Sequence, residues 1–142
     1  PFVQHVRQHE AAFSGLPEYM HRALLRAYLQ TAACTTLADE TLDIYTAPWR
    51  GPVGQPAFYR QISQMDQKYT DEVQVHYSAM GCPVSVLWGK EDAWIPFAKG
   101  RELASLISDK PCIPVAGAGH LVQEDRPEAI VAEVLKHAVH RH

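Results

Sequence analysis

The sequence predicts an α/β fold in which a helical first part is followed by strand, helix, strand and helix, with the two strands parallel. Three observations carry this. Val84–Trp88 is a short apolar run entered by Pro83 and closed by Gly89, and Cys112–Ala116 is a second such run; short continuous apolar runs suit strands buried on both faces of a parallel sheet. Between them Phe97, Leu103, Leu106 and Ile107 give the inner face of a helix from about Pro96 to Ser108, the crossover that parallel strands require. Upstream of Cys82 the apolar residues recur at helical spacing, and no segment reads as a strand.

The totals set the class. The chain has 142 residues, 46% hydrophobic and 20% charged, the profile of a globular domain of ordinary size. A net charge of -3 gives no electrostatic case for nucleic acid, and the lack of a basic run argues against a membrane surface. No apolar stretch approaches the roughly 18 residues that span a bilayer, and the N-terminus does not resemble a signal peptide, so a cytoplasmic location is expected. Cys34, Cys82 and Cys112 form no CxxC pair and are odd in number, which suits buried free thiols. No metal or cofactor is expected. His5 and His9 are four apart but lack a third ligand at a defined spacing, and a solvated helix end is the plainer reading.

In chain order, Pro17 opens a helix through LPEYMHRALLRAYLQTAA, with Met20, Leu24, Leu25, Tyr28 and Leu29 on one face. A shorter helix follows at about Leu37–Thr46, with Leu42 and Tyr45 inward. Pro48 to Gly54 packs two prolines and two glycines into a few residues and reads as a loop bearing Trp49. Pro56 starts the next helix, whose inner face is Phe58, Ile62, Met65 and Tyr69. Residues 77–81 form a connector, which puts a boundary between a helical region, 1–80, and a strand-bearing region, 81–142. The last helix has Asp125 at its cap position, Pro127 in its first turn and Glu128 three residues after the cap, and Ile130, Val131, Val134, Leu135 and Ala138 trace its apolar face. His137, His140 and His142 are expected to be solvated.

The chemistry gathers beyond the strand ends. In an open parallel sheet the loops at the carboxyl ends form the ligand crevice. Asp92 lies just past the first strand, and His120, in Gly117-Ala118-Gly119-His120, lies just past the second. A carboxylate and an imidazole on neighbouring strand ends can work as acid and base of a triad: the imidazole takes a proton near neutral pH, and the carboxylate fixes its tautomer and stabilises the imidazolium. Singly, each has a plainer reading, a turn histidine satisfying backbone and a loop carboxylate bound to amides. Glu91 is the rival acid, but adjacent residues in extended chain point opposite ways, so one of the two faces His120. Trp94 and Leu121 flank the pair and are candidate pocket residues. Trp49, Phe58 and Tyr59 are candidates for a pocket roof or for plain core.

These motifs resemble the C-terminal part of an α/β-hydrolase-fold protein with a helical cap. CPVSVLWGKED, ending at Asp92, looks like the family's penultimate strand and acid loop, and GAGH, ending at His120 and followed by Glu124 and Pro127, looks like its histidine loop. Residues 1–80 resemble the cap helices. The resemblance implies a triad with Asp92 and His120 as acid and base and a nucleophile on a G-x-(Ser, Cys or Asp)-x-G turn upstream of the cap. No two glycines here are spaced for that turn; Ser14 has no preceding strand and Ser85 lies inside one. A complete protein is expected to be roughly twice this length. The resemblance therefore implies a fragment of a hydrolase, inactive by itself, and the aromatic cap residues Trp49, Phe58, Tyr59 and Tyr69 suggest a small, largely apolar substrate. The fragment should pair with its missing half or with a copy of itself through the exposed strand edge. A non-enzymatic interaction or dimerisation module derived from a hydrolase is the alternative.

Overall fold

The structure, a computed structural model, describes residues 2–79 and 81–139. It has two compact units, Pro1–Leu29 with Ala38–Glu72, and Gln30–Leu37 with Val73–His142. The division differs from one at residue 80: the first unit ends at Glu72, and a short upstream segment, 30–37, folds with the strand-bearing unit.

The first unit is helical: α1 (Phe2–Gln8), α2 (Glu10–Ser14), α3 (Glu18–Gln30, whose last residue is counted with the second unit), α4 (Asp39–Thr46), a 3-10 turn at Ala47–Trp49, and α5 (Gly51–Ser63), with α6 (Gln67–Gln74) running out of it. Val6, Leu25, Phe58, Tyr59 and Ile62 form its core, and Phe2, Val3, Phe13, Leu24, Tyr28 and Trp49 pack around them. Burial of large aromatic and aliphatic side chains is the main stabilising term here. His21 is fully buried among them, with Tyr59 Oη 2.8 Å from Nδ1 and the Trp49 carbonyl 2.8 Å from Nε2. Burial pushes the Tyr59 phenol up to about 12, so it stays a donor to Nδ1 while Nε2–H donates to the carbonyl.

Two expectations are corrected here. The stretch from Pro48 to Gly54 is mostly helical. Gly51, at φ 73°, makes the reversal out of the 3-10 turn, and Pro52 falls in the first turn of α5, where a missing N–H costs nothing. The helix after Pro56 does not run on through Tyr69. It stops at Ser63, and Asp66 restarts the chain by accepting a hydrogen bond from Lys68 N at 3.0 Å, a cap for α6. Met65 and Tyr69 are exposed rather than inward.

The second unit follows the expected strand, helix, strand, helix order. β1 (Leu87–Gly89) and β2 (Ile113–Val115) are parallel, with Leu87 opposite Ile113 and Gly89 opposite Val115, and α7 (Phe97–Ile107) crosses between them. A single turn, α8 (Val122–Asp125), precedes α9 (Pro127–Val139). The core is Val86, Ala104 and Cys112, with Val84, Trp88, Phe97, Leu103 and Ile107 against it. Gly100 and Ala104 form the buried side of α7 because the Trp88 ring lies across Gly100, where a Cβ would come within 2.6 Å of it; Leu106, expected inward, is exposed.

Four more expectations change. Asp125 does not cap α9, whose first residue is Pro127; its carboxylate is turned elsewhere. Val131, Val134 and Leu135 of α9 are exposed. Cys34 and Cys82 are exposed, and Cys112 is the buried thiol. His137 is half-buried, not solvated: its Nε2 lies 2.8 Å from Ser85 Oγ, which also donates to Glu133 Oε1 at 2.7 Å. His140 and His142 lie outside the described residues. No helix among the described residues is long and apolar enough to cross a membrane.

Candidate functional site

The loops after β1 and β2 are joined by backbone hydrogen bonds beyond the strands. Lys90 N donates to Val115 O, and Glu91 N to Ala118 O, each at 3.0 Å. Such approach is possible because Gly89 has no side chain; a Cβ there would sit 2.1 Å from Gly119 O. The ladder thus carries the first loop onto the histidine turn.

Asp92 and His120 meet at the end of this ladder. His120 Nδ1 lies 3.0 Å from Asp92 Oδ2. The Asp92 side chain is 3% exposed and that of His120 32%. Asp92 Oδ1 accepts from Trp94 N at 2.8 Å and Ile95 N at 2.9 Å, so the carboxylate is oriented by its own loop while its other oxygen faces the ring. An ionised carboxylate only accepts, so Nδ1 must donate, which leaves Nε2 as the basic nitrogen. Among the described residues no hydrogen bond engages Nε2.

Glu91 is turned away from the imidazole. Its Oε2 accepts from Gly117 N at 2.9 Å and Ala118 N at 3.2 Å, shaping the turn before His120. Of the two adjacent carboxylates, Asp92 is the one that reaches the ring.

Trp94 stacks on His120 with ring centroids 4.9 Å apart, and its Nε1 donates to Thr31 Oγ1 at 3.0 Å. The cavity beside the pair, about 170 Å³, is lined by Leu87, Trp88, Gly89, Asp92, His120 and Val122. Leu121 is not in that lining; its amide donates to Ala32 O at 3.1 Å. In the helical unit Trp49 and Phe58 line a separate cavity of about 170 Å³ with Tyr28, Gln61, Ile62 and Met65. Tyr59, fully buried and bonded to His21, offers no surface to a ligand. An open cleft of about 690 Å³ at Arg7, Ser63 and Asp66 holds no comparable pair, and Arg7 is committed to the carbonyls of Ser63 and Met65.

Neither serine weighed in the sequence is activated. Ser14 ends α2. Ser85 has a histidine and a glutamate beside it, but both address the one hydroxyl oxygen, whereas a triad places the acid on the far ring nitrogen. No group of three or more metal-ligating side chains occurs among the described residues.

The sequence reading missed Asp125. Its carboxylate, 5% exposed, accepts from Cys34 N at 2.8 Å, Thr35 N at 2.7 Å, Thr35 Oγ1 at 2.7 Å and Gly119 N at 2.8 Å. Burial works to raise its pKa, but the hydrogen bonds from Cys34, Gly119 and Thr35 outweigh it and hold the carboxyl below its ordinary value. Its partners at Cys34 and Thr35 lie far upstream, so no local pattern could have shown the contact.

Comparison with known proteins agrees with this architecture. No family model matches the sequence. The crystal structure of an α/β-hydrolase-fold protein from Burkholderia ambifaria superposes with a TM-score of 0.91 and 54% identity over 96% of this chain. The chain belongs to the α/β-hydrolase-fold superfamily. It spans 50% of the Burkholderia protein's length. An uncharacterized hydrolase of Bacillus subtilis strain 168, YugF, is 28% identical over 101 residues, which are 69% of this chain and 36% of that protein. The crystal structure of lip1 from Acinetobacter baumannii AYE shares the fold at a TM-score of 0.59 and 18% identity, over 80% of this chain and 40% of its own. The α/β-hydrolase fold with two parallel strands is thus the architecture of this segment.

Proposed function

We propose that this chain is the cap and C-terminal portion of an α/β-fold hydrolase, with Asp92 and His120 the acid and base of its triad and the nucleophile supplied from outside the chain. The observation that carries the reading is the Asp92–His120 hydrogen bond of 3.0 Å, with the carboxylate buried and the imidazole partly open to an apolar cavity. With Nδ1 held by the carboxylate, Nε2 takes the proton of a nucleophile or of attacking water and returns it to the leaving group. The cavity's size and its Leu87, Trp88 and Val122 walls favour a small, largely apolar substrate. A cytoplasmic location belongs to the same proposal.

The rest of the hydrolase, or a second copy of this chain, is the proposed partner. β1 is bonded to β2 on one edge and has no strand on the other among the described residues. Val131, Val134 and Leu135 on α9 present an apolar face of the kind a missing layer covers. Sedimentation at micromolar concentration should show association; a well-behaved monomer would count against this partner.

Without a nucleophile the covalent route is closed, so the chain by itself should not hydrolyse activated p-nitrophenyl esters above buffer. Turnover by the chain that disappears in Asp92→Ala or His120→Ala would sink that part of the proposal.

A further inference from the structure

The segment 31–35 touches the histidine turn from two sides. On one side Thr31 Oγ1 accepts from the indole of Trp94, and that indole lies against the His120 ring. On the other, Ala32 O accepts from Leu121 N, directly after His120, while Asp125 gathers the amides of Cys34 and Thr35 together with the amide of Gly119, directly before it. The fit is close: a Cβ on Gly119 would lie 2.8 Å from Ala32 O and 2.9 Å from Cys34 N. His120 itself has one hydrogen bond among the described residues, to Asp92. With Trp94 against one face, its ring depends on the flanking backbone to stay on the carboxylate.

We propose that Asp125 is a positioning residue: by tying the histidine turn to the segment 31–35 it fixes the His120 ring on Asp92. α8 serves this geometry. Arg126 N bonds back to Val122 O at 2.8 Å and Asp125 N to Leu121 O at 3.1 Å, a tight turn that returns the Asp125 side chain toward the residue before His120. A buried carboxylate with several charge-assisted bonds is a stiff anchor, because losing it leaves the buried Gly119 amide and the part-buried amides of Cys34 and Thr35 without their acceptor. Asp125 touches no reacting atom in this scheme and acts through the backbone of Gly119. The inference rests on the acid and base reading of Asp92 and His120.

The test is ¹⁵N-imidazole NMR of His120 in this chain, comparing the wild type with Asp125→Ala, Asp125→Asn, Thr35→Val and Asp92→Asn. The wild type should show an Nδ1–H proton protected from exchange and ring nitrogens of one tautomer. Asp125→Ala should lose that proton signal and average the tautomers while amide shifts of α7 persist; Thr35→Val should do so in part, and Asp125→Asn, which keeps an acceptor, should recover part of the signal. Should Asp125→Ala fail to fold, Thr35→Val decides by the same signal. An unchanged His120 spectrum in folded Asp125→Ala, or in Thr35→Val where the former is unfolded, overturns the inference if Asp92→Asn does alter it. An unchanged spectrum in Asp92→Asn overturns the acid and base reading itself.

Discussion

The two units are stabilised in different ways, and the contrast bears on the proposed site. The helical unit closes on itself: aromatic rings at edge-to-face angles surround Tyr59, and the buried polar groups of His21 are both paired within the unit. The strand-bearing unit has a thin core of Val86, Ala104 and Cys112 and leaves the apolar side of α9 open. Its order comes instead from three carboxylates, Glu91, Asp92 and Asp125, each binding backbone amides at or beside the loops beyond the strands. Apolar burial builds a scaffold that many sequences satisfy, whereas carboxylates aimed at amides fix particular side chains to within a hydrogen-bond length. The second kind of order is what a proton-transfer site needs.

Substitutions in the two units should separate these modes. The largest effect on stability is expected for Asp125→Ala, about 3 kcal/mol, since it removes the acceptor of the buried Gly119 amide and of the part-buried Cys34 and Thr35 donors; the shift in denaturation midpoint measures it. In the helical unit Tyr59→Phe leaves His21 Nδ1 without its donor and should cost less, about 1–2 kcal/mol, with the rings still packed. If Tyr59→Phe proved the costlier, the contrast between the units would be broken.

Acid should single out the same carboxylate. Asp125 has a folded pKa below its unfolded value, so its contribution is fully present above the unfolded pKa of about 3.9 and is lost as pH falls through the folded value. Wild-type stability should therefore fall on acidification below about pH 4, and Asp125→Asn should flatten that fall. An equally steep profile in the variant would assign the acid sensitivity elsewhere. The smallest effect on stability is expected at the exposed face of α9: Leu135→Glu should change it by about 0.5 kcal/mol or less while abolishing association seen by sedimentation. Retained association would move the partner surface away from α9.

Much of the fold was legible because its signals are local. The runs at Val84–Trp88 and Cys112–Ala116, closed by Gly89 and Gly117, locate the strands to within a few residues. The spacing of Asp92 and His120 past those strands places them on neighbouring ends, and the structure brings them within 3.0 Å. Illegible features depend on distant partners or on competing local rules. Asp125 sits before a proline and a glutamate, the pattern of a helix cap, yet amides far upstream take its carboxylate. The continuous face from Phe58 to Tyr69 looks helical throughout, but the Asp66 cap breaks it. His137 reads as tail, and only the folded chain puts Ser85 beside it.

The central claim, that Asp92 and His120 act as one unit on a nucleophile brought from outside this chain, is tested most directly by a double-mutant cycle in a hydrolase that contains both. Turnover of an activated ester is measured for Asp92→Ala, His120→Ala and the double variant. The account predicts a loss on the order of 10⁴-fold for His120→Ala and no further loss in the double variant, as expected of residues that work together. Losses that multiply, or full activity in His120→Ala, would contradict it.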